Sequence, residues 1–238
     1  MSTEALPRLW DNYAQAGYEN IYLVRITNDH RERLGQLLLP SNNGICLDAG
    51  CGTGNMFELI LRRIQPSELH AVDWSQNMLA KSKKEAERLR EISNTDFRFY
   101  LSDISSSLPL DDRMCDVVVA NLLICYVTCG WQRAIQEMAR VLKTGGYIYL
   151  GTLLENWGFI SVLWKHAPVE FIRAPLESFR GLKYRSIVHD ISKELTKSGA
   201  VFPSRKELAQ FMELIGFEEM YIVPTYWGGG LALRARLH

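Results

Sequence analysis

The chain has no excess of charge of either sign. Its 238 residues carry 27 basic and 27 acidic side chains, and no dense basic run occurs along the sequence. Proteins that bind nucleic acids need clustered lysine and arginine to neutralise phosphates. We therefore expect no nucleic-acid partner.

Cysteines are few and follow no recognisable pattern. The five are Cys46, Cys51, Cys115, Cys125 and Cys129, an odd number with no CxxC or Cys/His ligand spacing. Disulfide frameworks use even numbers, and zinc sites use characteristic close pairs. We interpret these residues as buried thiols in a reducing compartment, and we predict no metal site.

Long apolar runs and repeats are also missing. The apolar stretch Val117–Val127 is too short to span a bilayer, which takes about 20 residues. The segment after Met1 is polar, contains proline and lacks the regions of a signal peptide. With 47% hydrophobic residues, the sequence predicts one domain with a large core, no stable membrane insertion and a cytoplasmic location. No feature indicates an oligomeric state.

The chain does contain an apolar strand that leads into a glycine-rich turn, residues 45–55. Gly50, Gly52 and Gly54 occupy alternate positions, where missing Cβ atoms let backbone N–H groups approach a ligand. The helix expected after Gly54 directs its positive end to the same place. This pattern predicts a cofactor-binding loop.

The spacing of this loop distinguishes two kinds of cofactor. A dinucleotide loop reads G-x-G-x-x-G, whereas here the third glycine comes one position early and Asn55 stands in its place. Asp48, at the end of the strand, would repel a phosphate and attract an ammonium or sulfonium group. The sequence therefore favours a cationic ligand over a nicotinamide dinucleotide.

Two further acidic residues follow later strands. Asp73 ends the strand predicted at 69–73, about 20 residues beyond the glycines, the usual distance for a ribose-binding acid. Asp103 follows the strand predicted at 97–101. Each has an alternative interpretation, because Asp73 precedes Ser75 and could belong to a turn or helix cap, while Asp103 could be an ordinary loop acid.

Together these residues resemble the class I S-adenosylmethionine-dependent methyltransferases, whose first motif reads acidic-x-G-x-G-x-G. The resemblance implies S-adenosyl-L-methionine as the cofactor. It also implies that Asp73 holds the ribose hydroxyls, that Asp103 recognises the adenine amino group, and that Ile104 packs on the adenine ring. Asp48 and the three glycines match the motif itself.

Four more residues are predicted to contact the cofactor. Trp74 directly follows the ribose acid and is placed to stack on adenine, although it could be a plain hydrophobic contact. Met78 lies on the inward face of the helix that Ser75 is expected to cap. Asn121 stands at the carboxyl end of a buried strand, where ligands of open α/β sheets bind. Tyr18 ends a segment similar to the family's entry helix, which folds over the cofactor.

Strands and helices alternate along the chain, which indicates a parallel sheet. We predict an α/β fold: a Rossmann-like, doubly wound, mostly parallel seven-stranded sheet with an antiparallel C-terminal strand, N-terminal helices and a helical lid insertion. The expected divisions of this single domain are an N-terminal helical cap (1–40), a cofactor-binding core (41–154), a substrate lid (155–200), and a C-terminal helix and strands (201–238). Ser204 opens a capping box before the last helix.

Within the family, the chain is similar to the branch that includes the ubiquinone and menaquinone C-methyltransferases. Residues 107–110, 202–204 and 216–217 carry this similarity. The residues after Asn121 depart from the Arg-Asn pattern of the quinone enzymes, so the similarity does not fix the substrate.

The lid segment contains six aromatic residues beside scattered arginine and histidine, which is typical of a cover over an apolar pocket. The same aromatics could simply pack the lid onto its own domain. We predict a small-molecule acceptor with an apolar or aromatic part. His166 and His189 are the candidate general bases because both fall in this segment, and a structural role is the alternative for each.

The predicted reaction is methyl transfer to this acceptor by in-line displacement, with the acceptor aligned under the lid. One alternative is a protein of the same fold that binds S-adenosylmethionine without transferring its methyl group. A nicotinamide-dependent oxidoreductase is a further alternative that the glycine spacing disfavours. The sequence does not identify the acceptor or the atom that is methylated.

Overall fold

A computed structural model describes residues 5–15, 25–41, 44–127, 130–155 and 201–238. In these ranges seven strands form one sheet in the order β3-β2-β1-β4-β5-β7-β6. All neighbours pair in parallel except β7, which runs antiparallel to β5 and β6. The predicted α/β fold with a mostly parallel seven-stranded sheet is confirmed. The strands are β1 (Ile45–Ala49), β2 (Glu68–Asp73), β3 (Asp96–Leu101), β4 (Cys115–Asn121), β5 (Leu142–Leu153), β6 (Phe217–Thr225) and β7 (Gly230–Leu237).

Helices flank the sheet on both faces: α1 (Ala5–Gln15), α2 (Arg25–Leu37), α3 (Phe57–Arg63), α4 (Gln76–Leu89), α5 (Trp131–Val141) and α6 (Arg205–Leu214). Two predicted caps are confirmed. The Ser75 hydroxyl accepts the backbone N–H of Met78 at the start of α4, and Ser204 forms a complete capping box with Glu207.

One boundary differs from the prediction. The sequence predicts a helix up to Leu142 and a strand from Tyr147, whereas β5 begins at Leu142 itself. Leu142 pairs with Cys115, and the register then shifts before Val117 pairs with Tyr147. Gly145, with φ +81°, accommodates this irregularity because its backbone lies in the left-handed region.

The central strands are apolar along their whole length because both faces of the sheet are covered. On one face, Leu47 and Ala49 pack in a cluster with residues of α5 and α6; on the other, Cys46 packs with residues of α2, α3 and α4. The four described cysteines are buried free thiols, as predicted, and Cys129 lies outside the described residues. Among the helices described, none has the length and apolar character to cross a membrane.

The strand order indicates where a ligand-binding crevice lies. Strand order reverses between β1 and β4, which lie side by side although the chain runs from β1 to β2 first. Ligands of open α/β sheets bind beyond the carboxyl ends of the strands at such a point. Residues 156–200, most of the predicted lid, lie outside the described residues, and the division of the chain into four parts stays a prediction.

Candidate functional site

A cavity opens at this reversal. About 800 Å³ of space there is free of protein atoms, a volume that includes open solvent at the mouth. Nine of the eleven predicted cofactor residues line it: Asp48, Gly50, Gly52, Asp73, Trp74, Met78, Asp103, Ile104 and Asn121. Gly54 is not part of the lining, while Tyr18, His166 and His189 lie outside the described residues.

The three glycines of the loop have different reasons to be glycine. A Cβ on Gly52 would meet no atom within 4 Å, so the space beside it is open to a ligand. A Cβ on Gly50 would come 2.7 Å from Leu123, and one on Gly54 would come 2.9 Å from Phe57. Gly50 and Gly54 thus have a packing reason to be glycine, φ is positive at all three positions, and the expectation that all three clear space for a ligand stays a prediction.

Asp73 is tied into the backbone around it. One carboxyl oxygen accepts the N–H of Gly52 at 2.9 Å, and the other accepts the N–H of Ser75 at 2.9 Å. Burial raises the pKa of Asp73 to about 6, although these backbone N–H groups and that of Trp74 act in the opposite direction. The carboxylate thus joins the glycine loop to the start of α4 before any ligand is considered.

Helix α1 contacts the start of α4 through Asp11. The Ser75 hydroxyl donates to Asp11 at 2.5 Å, and the backbone N–H of Asn77 donates to the same carboxyl oxygen at 3.1 Å. A carboxylate at a helix N-terminus is favourable because unpaired N–H groups point towards it. Asp11 thereby attaches α1 to the edge of the cavity.

Asp48 contrasts with these satisfied carboxyls. Its side chain is buried, and its Oδ2 atom has no hydrogen-bond partner within the described part of the chain. Burial and the nearby charge of Asp73 raise the pKa of Asp48 to about 8. An unpaired buried carboxyl oxygen is costly, so this atom marks a place where a ligand donor or cation would be stabilised.

The predicted adenine end lies beyond β3. Ile104 is buried, while Trp74 and Asp103 are partly exposed at the cavity wall. The Asp103 carboxylate accepts the backbone N–H of Ser105 at 2.8 Å, so the alternative of a loop-stabilising acid also holds at this position. Local structure and ligand recognition are compatible here because a carboxylate accepts several hydrogen bonds.

Sequence reasoning missed much of the apolar wall. Trp10 of α1 contacts Tyr126 with ring centroids 4.9 Å apart, and Leu122, Leu123 and Val127 continue the same surface. Leu122, Leu123, Tyr126 and Val127 lie in the loop after β4, where the sequence departs from the Arg-Asn pattern of the quinone enzymes. Only Trp10 had a usable signal, since it lies in the segment similar to the family's entry helix. The other members of the lining are Cys51, Asn55, Met56, Val72 and Ser102.

Comparisons with known proteins match the part of the chain that carries this site. Residues 47–150 match a family model described as a methyltransferase domain. The chain is 34% identical over 148 residues, 62% of its length, to a malonyl-[acyl-carrier protein] O-methyltransferase of Marinomonas sp. (strain MWYL1), and covers 48% of that protein. It is 26% identical over 185 residues, 76% of its length, to a demethylmenaquinone methyltransferase of Bacillus cereus (strain B4264), covering 73%. The chain thus spans about half the length of the first relative.

Solved structures share the fold. A SAM-dependent methyltransferase from Thermotoga maritima superposes with a TM-score of 0.63 at 20% identity, covering 97% of this chain and 99% of that one. The geranyl diphosphate C-methyltransferase of Streptomyces coelicolor, in complex with Mg²⁺, geranyl diphosphate and S-adenosyl-L-homocysteine, also gives 0.63, at 18% identity, covering 90% of this chain and 80% of that one.

Proposed function

We propose that this chain, whose residues 47–150 match a family model described as a methyltransferase domain, is a class I S-adenosylmethionine-dependent methyltransferase and transfers a methyl group to a small molecule in the cavity at the end of β1 and β4. The resemblance, enzyme class and cofactor expected from the sequence agree with this assignment. The acceptor, the lid and the in-line geometry are parts of the proposal.

The observation that carries the proposal is the buried, unpartnered Oδ2 atom of Asp48 beside the open space at Gly52. Two carboxyl groups, Asp48 and Asp73, line one cavity whose glycine loop would otherwise suit an anion. A pyrophosphate here would oppose ionisation of both carboxyls, whereas a molecule with an ammonium and a sulfonium group would favour their charged form. These residues fit S-adenosylmethionine and disfavour a nicotinamide dinucleotide.

When bound, S-adenosylmethionine supplies a methyl group that its sulfonium has already activated for displacement. The chain's own residues bind and orient: Asp48 stabilises a cationic group, Asp73 accepts hydrogen bonds from hydroxyls, and the backbone at Gly52 lets the ligand come close. Trp10 and Tyr126 cover the cavity with aromatic surface, which keeps water from the reacting atoms. His166 and His189 are still proposed as general bases. Both lie outside the described residues.

The acceptor is proposed to carry an apolar or aromatic part, because Leu122, Leu123 and Val127 form an apolar wall next to Asn121. The two relatives are named for different acceptors, malonyl-[acyl-carrier protein] and demethylmenaquinone. The methylated atom is therefore left open. A lid over residues 155–200 and a cytoplasmic location stay predictions.

Calorimetry with S-adenosylmethionine, S-adenosylhomocysteine and NAD tests the cofactor. We expect dissociation constants of about micromolar or tighter for the first two and no binding of NAD. Tight NAD binding without binding of the sulfonium compound would contradict the proposal and favour the oxidoreductase alternative.

Transfer itself needs a separate assay, because a protein that binds the cofactor without using it would pass the first test. The protein is incubated with methyl-labelled S-adenosylmethionine and a panel of phenols, quinols, acyl thioesters and amines. Label transferred to an apolar acceptor supports the proposal. Tight cofactor binding with no transfer to any class would favour the binding-protein alternative.

A further inference from the structure

A buried polar cluster lies behind the cavity and joins three elements that are distant in sequence. His30 of α2 is fully buried. Its Nδ1 atom lies 2.9 Å from the Thr225 hydroxyl at the end of β6, and its Nε2 atom lies 3.0 Å from the Asn121 amide oxygen at the end of β4. The imidazole also packs on the ring of Tyr226, with centroids 4.8 Å apart. Asn121 alone of these residues lines the cavity.

The donors and acceptors of this cluster fix the state of the ring. Burial lowers the pKa of His30 to about 4, so the imidazole is neutral at neutral pH and carries one proton. The Asn121 oxygen only accepts hydrogen bonds, so Nε2 must carry the hydrogen. Nδ1 then accepts from the Thr225 hydroxyl, and each polar atom of the ring has a matching partner.

The neighbouring backbone is shaped around the bond between His30 and Asn121. A Cβ on Gly151, the β5 residue that pairs with Asn121, would come 2.6 Å from the His30 Nε2 atom and 2.7 Å from the Asn121 oxygen. Leu122 follows in a left-handed conformation with φ +56°, and its N–H donates to the Gly151 carbonyl at 2.7 Å. Backbone strain of this kind persists where the surroundings hold it in place.

On the basis of the proposed function, we propose that His30 is a positioning residue. It fixes the orientation of the Asn121 amide, so that this side chain donates a hydrogen bond to a cofactor in the cavity. His30 does not line the cavity and acts only through Asn121. With the Asn121 oxygen committed to the imidazole, the amide nitrogen is the end of the side chain that a ligand acceptor atom encounters.

A double-mutant cycle tests this, with the dissociation constant of S-adenosylhomocysteine as the readout and the thermal unfolding midpoint recorded for every variant. His30→Phe keeps the ring size and removes the donor, and we expect affinity to fall about threefold to tenfold, the effect of one neutral hydrogen bond. Asn121→Ala should weaken binding at least as much. The double variant should bind like Asn121→Ala alone, because His30 acts through that side chain.

Two further variants separate positioning from stability. His30→Gln places an amide donor near the position of Nε2 and should restore affinity to within about twofold of wild type. Thr225→Val removes the other hydrogen bond of the ring and leaves the donor to Asn121, so it should lower the unfolding midpoint with less than about a twofold change in affinity. Additive effects of His30→Phe and Asn121→Ala, or unchanged affinity in either, would overturn the inference.

If His30→Phe does not fold, the wild-type protein still decides. Nitrogen-15 spectra should show a neutral His30 with its proton on Nε2, and S-adenosylhomocysteine should shift the Asn121 side-chain amide signals. A proton on Nδ1, or amide signals that do not respond to bound ligand, would overturn the inference. Failure of the wild type to bind S-adenosylhomocysteine at all would instead refute the proposed function.

Discussion

The carboxyl ends of β1 and β2 carry the same side chain in opposite situations. Asp73, at the end of β2, accepts backbone N–H groups on both oxygens. Asp48, at the end of β1, is buried with one oxygen unpartnered among the described residues. Accordingly, the pKa of Asp48 rises to about 8, while that of Asp73 rises only to about 6.

The difference indicates two kinds of binding residue. A carboxylate that holds its own loop in place is part of the fold, and its loss costs stability as well as affinity. A carboxyl left unpaired destabilises the empty protein and is compensated only when a ligand arrives. We expect substitutions at these two positions to affect stability in opposite directions.

Asp73→Ala should have the largest effect. It leaves the N–H groups of Gly52 and Ser75 without their acceptor, which costs roughly 2–5 kcal/mol of unfolding free energy. Affinity for S-adenosylmethionine should fall on the order of tenfold to several hundredfold. Chemical denaturation and calorimetry on one variant measure both. Loss of stability with unchanged affinity would make Asp73 purely structural.

Asp48→Asn should weaken S-adenosylmethionine binding by about tenfold to a hundredfold because a charge partner is lost, while the empty protein becomes more stable near pH 8. Comparing S-adenosylhomocysteine identifies the group concerned. An equal loss for both ligands indicates the ammonium, and a larger loss for S-adenosylmethionine indicates the sulfonium.

Asp116→Asn is the matched control for Asp48→Asn, because Asp116 pairs with Lys143 away from the cavity lining. It makes the same change of side chain and should leave cofactor affinity within about twofold of wild type. Unchanged affinity in Asp48→Asn would contradict the proposed difference between Asp48 and Asp73.

Two alanine substitutions in the loop between these strands should separate binding from packing. Gly52→Ala points a methyl group into open space and should weaken cofactor binding about tenfold or more, with roughly 1 kcal/mol of backbone strain at φ +53°. Gly54→Ala collides with Phe57 and should instead lose about 1–3 kcal/mol of stability with a smaller change in affinity. The reverse pattern would place the ligand elsewhere.

The pH dependence of the empty protein should show the smallest effect. Both carboxyls have folded-state pKa values, about 8 and about 6, above the unfolded value of about 3.9. At these two groups the folded state therefore binds more protons. The buried His30 acts in the opposite direction below about pH 6.5, because its folded-state pKa of about 4 lies below the unfolded value. Between about pH 6.5 and pH 8 the stability contributed by Asp48 falls as the pH rises, by at most about 1.4 kcal/mol per pH unit. Unfolding midpoints measured over this range should fall less steeply in Asp48→Asn. Equal slopes would show that Asp48 is ionised at neutral pH.

The sequence by itself determined the local features of the molecule. The glycine spacing, the acid about 20 residues later and the caps at Ser75 and Ser204 depend on neighbours a few positions apart, so pattern alone predicts them. The sheet followed from the alternation of strands and helices, with one strand boundary misplaced because a register shift depends on the partner strand.

Only the tertiary structure decided what each residue does beyond its own segment. The sequence posed ribose binding and capping as alternatives for Asp73, yet its backbone bonds to both the loop and α4 make the two inseparable in the fold. The role of His30 has no local sequence signal, because its partners Asn121 and Thr225 lie 91 and 195 positions away. Burial and long-range hydrogen bonds form only when segments distant in sequence come together, so no local sequence pattern predicts them.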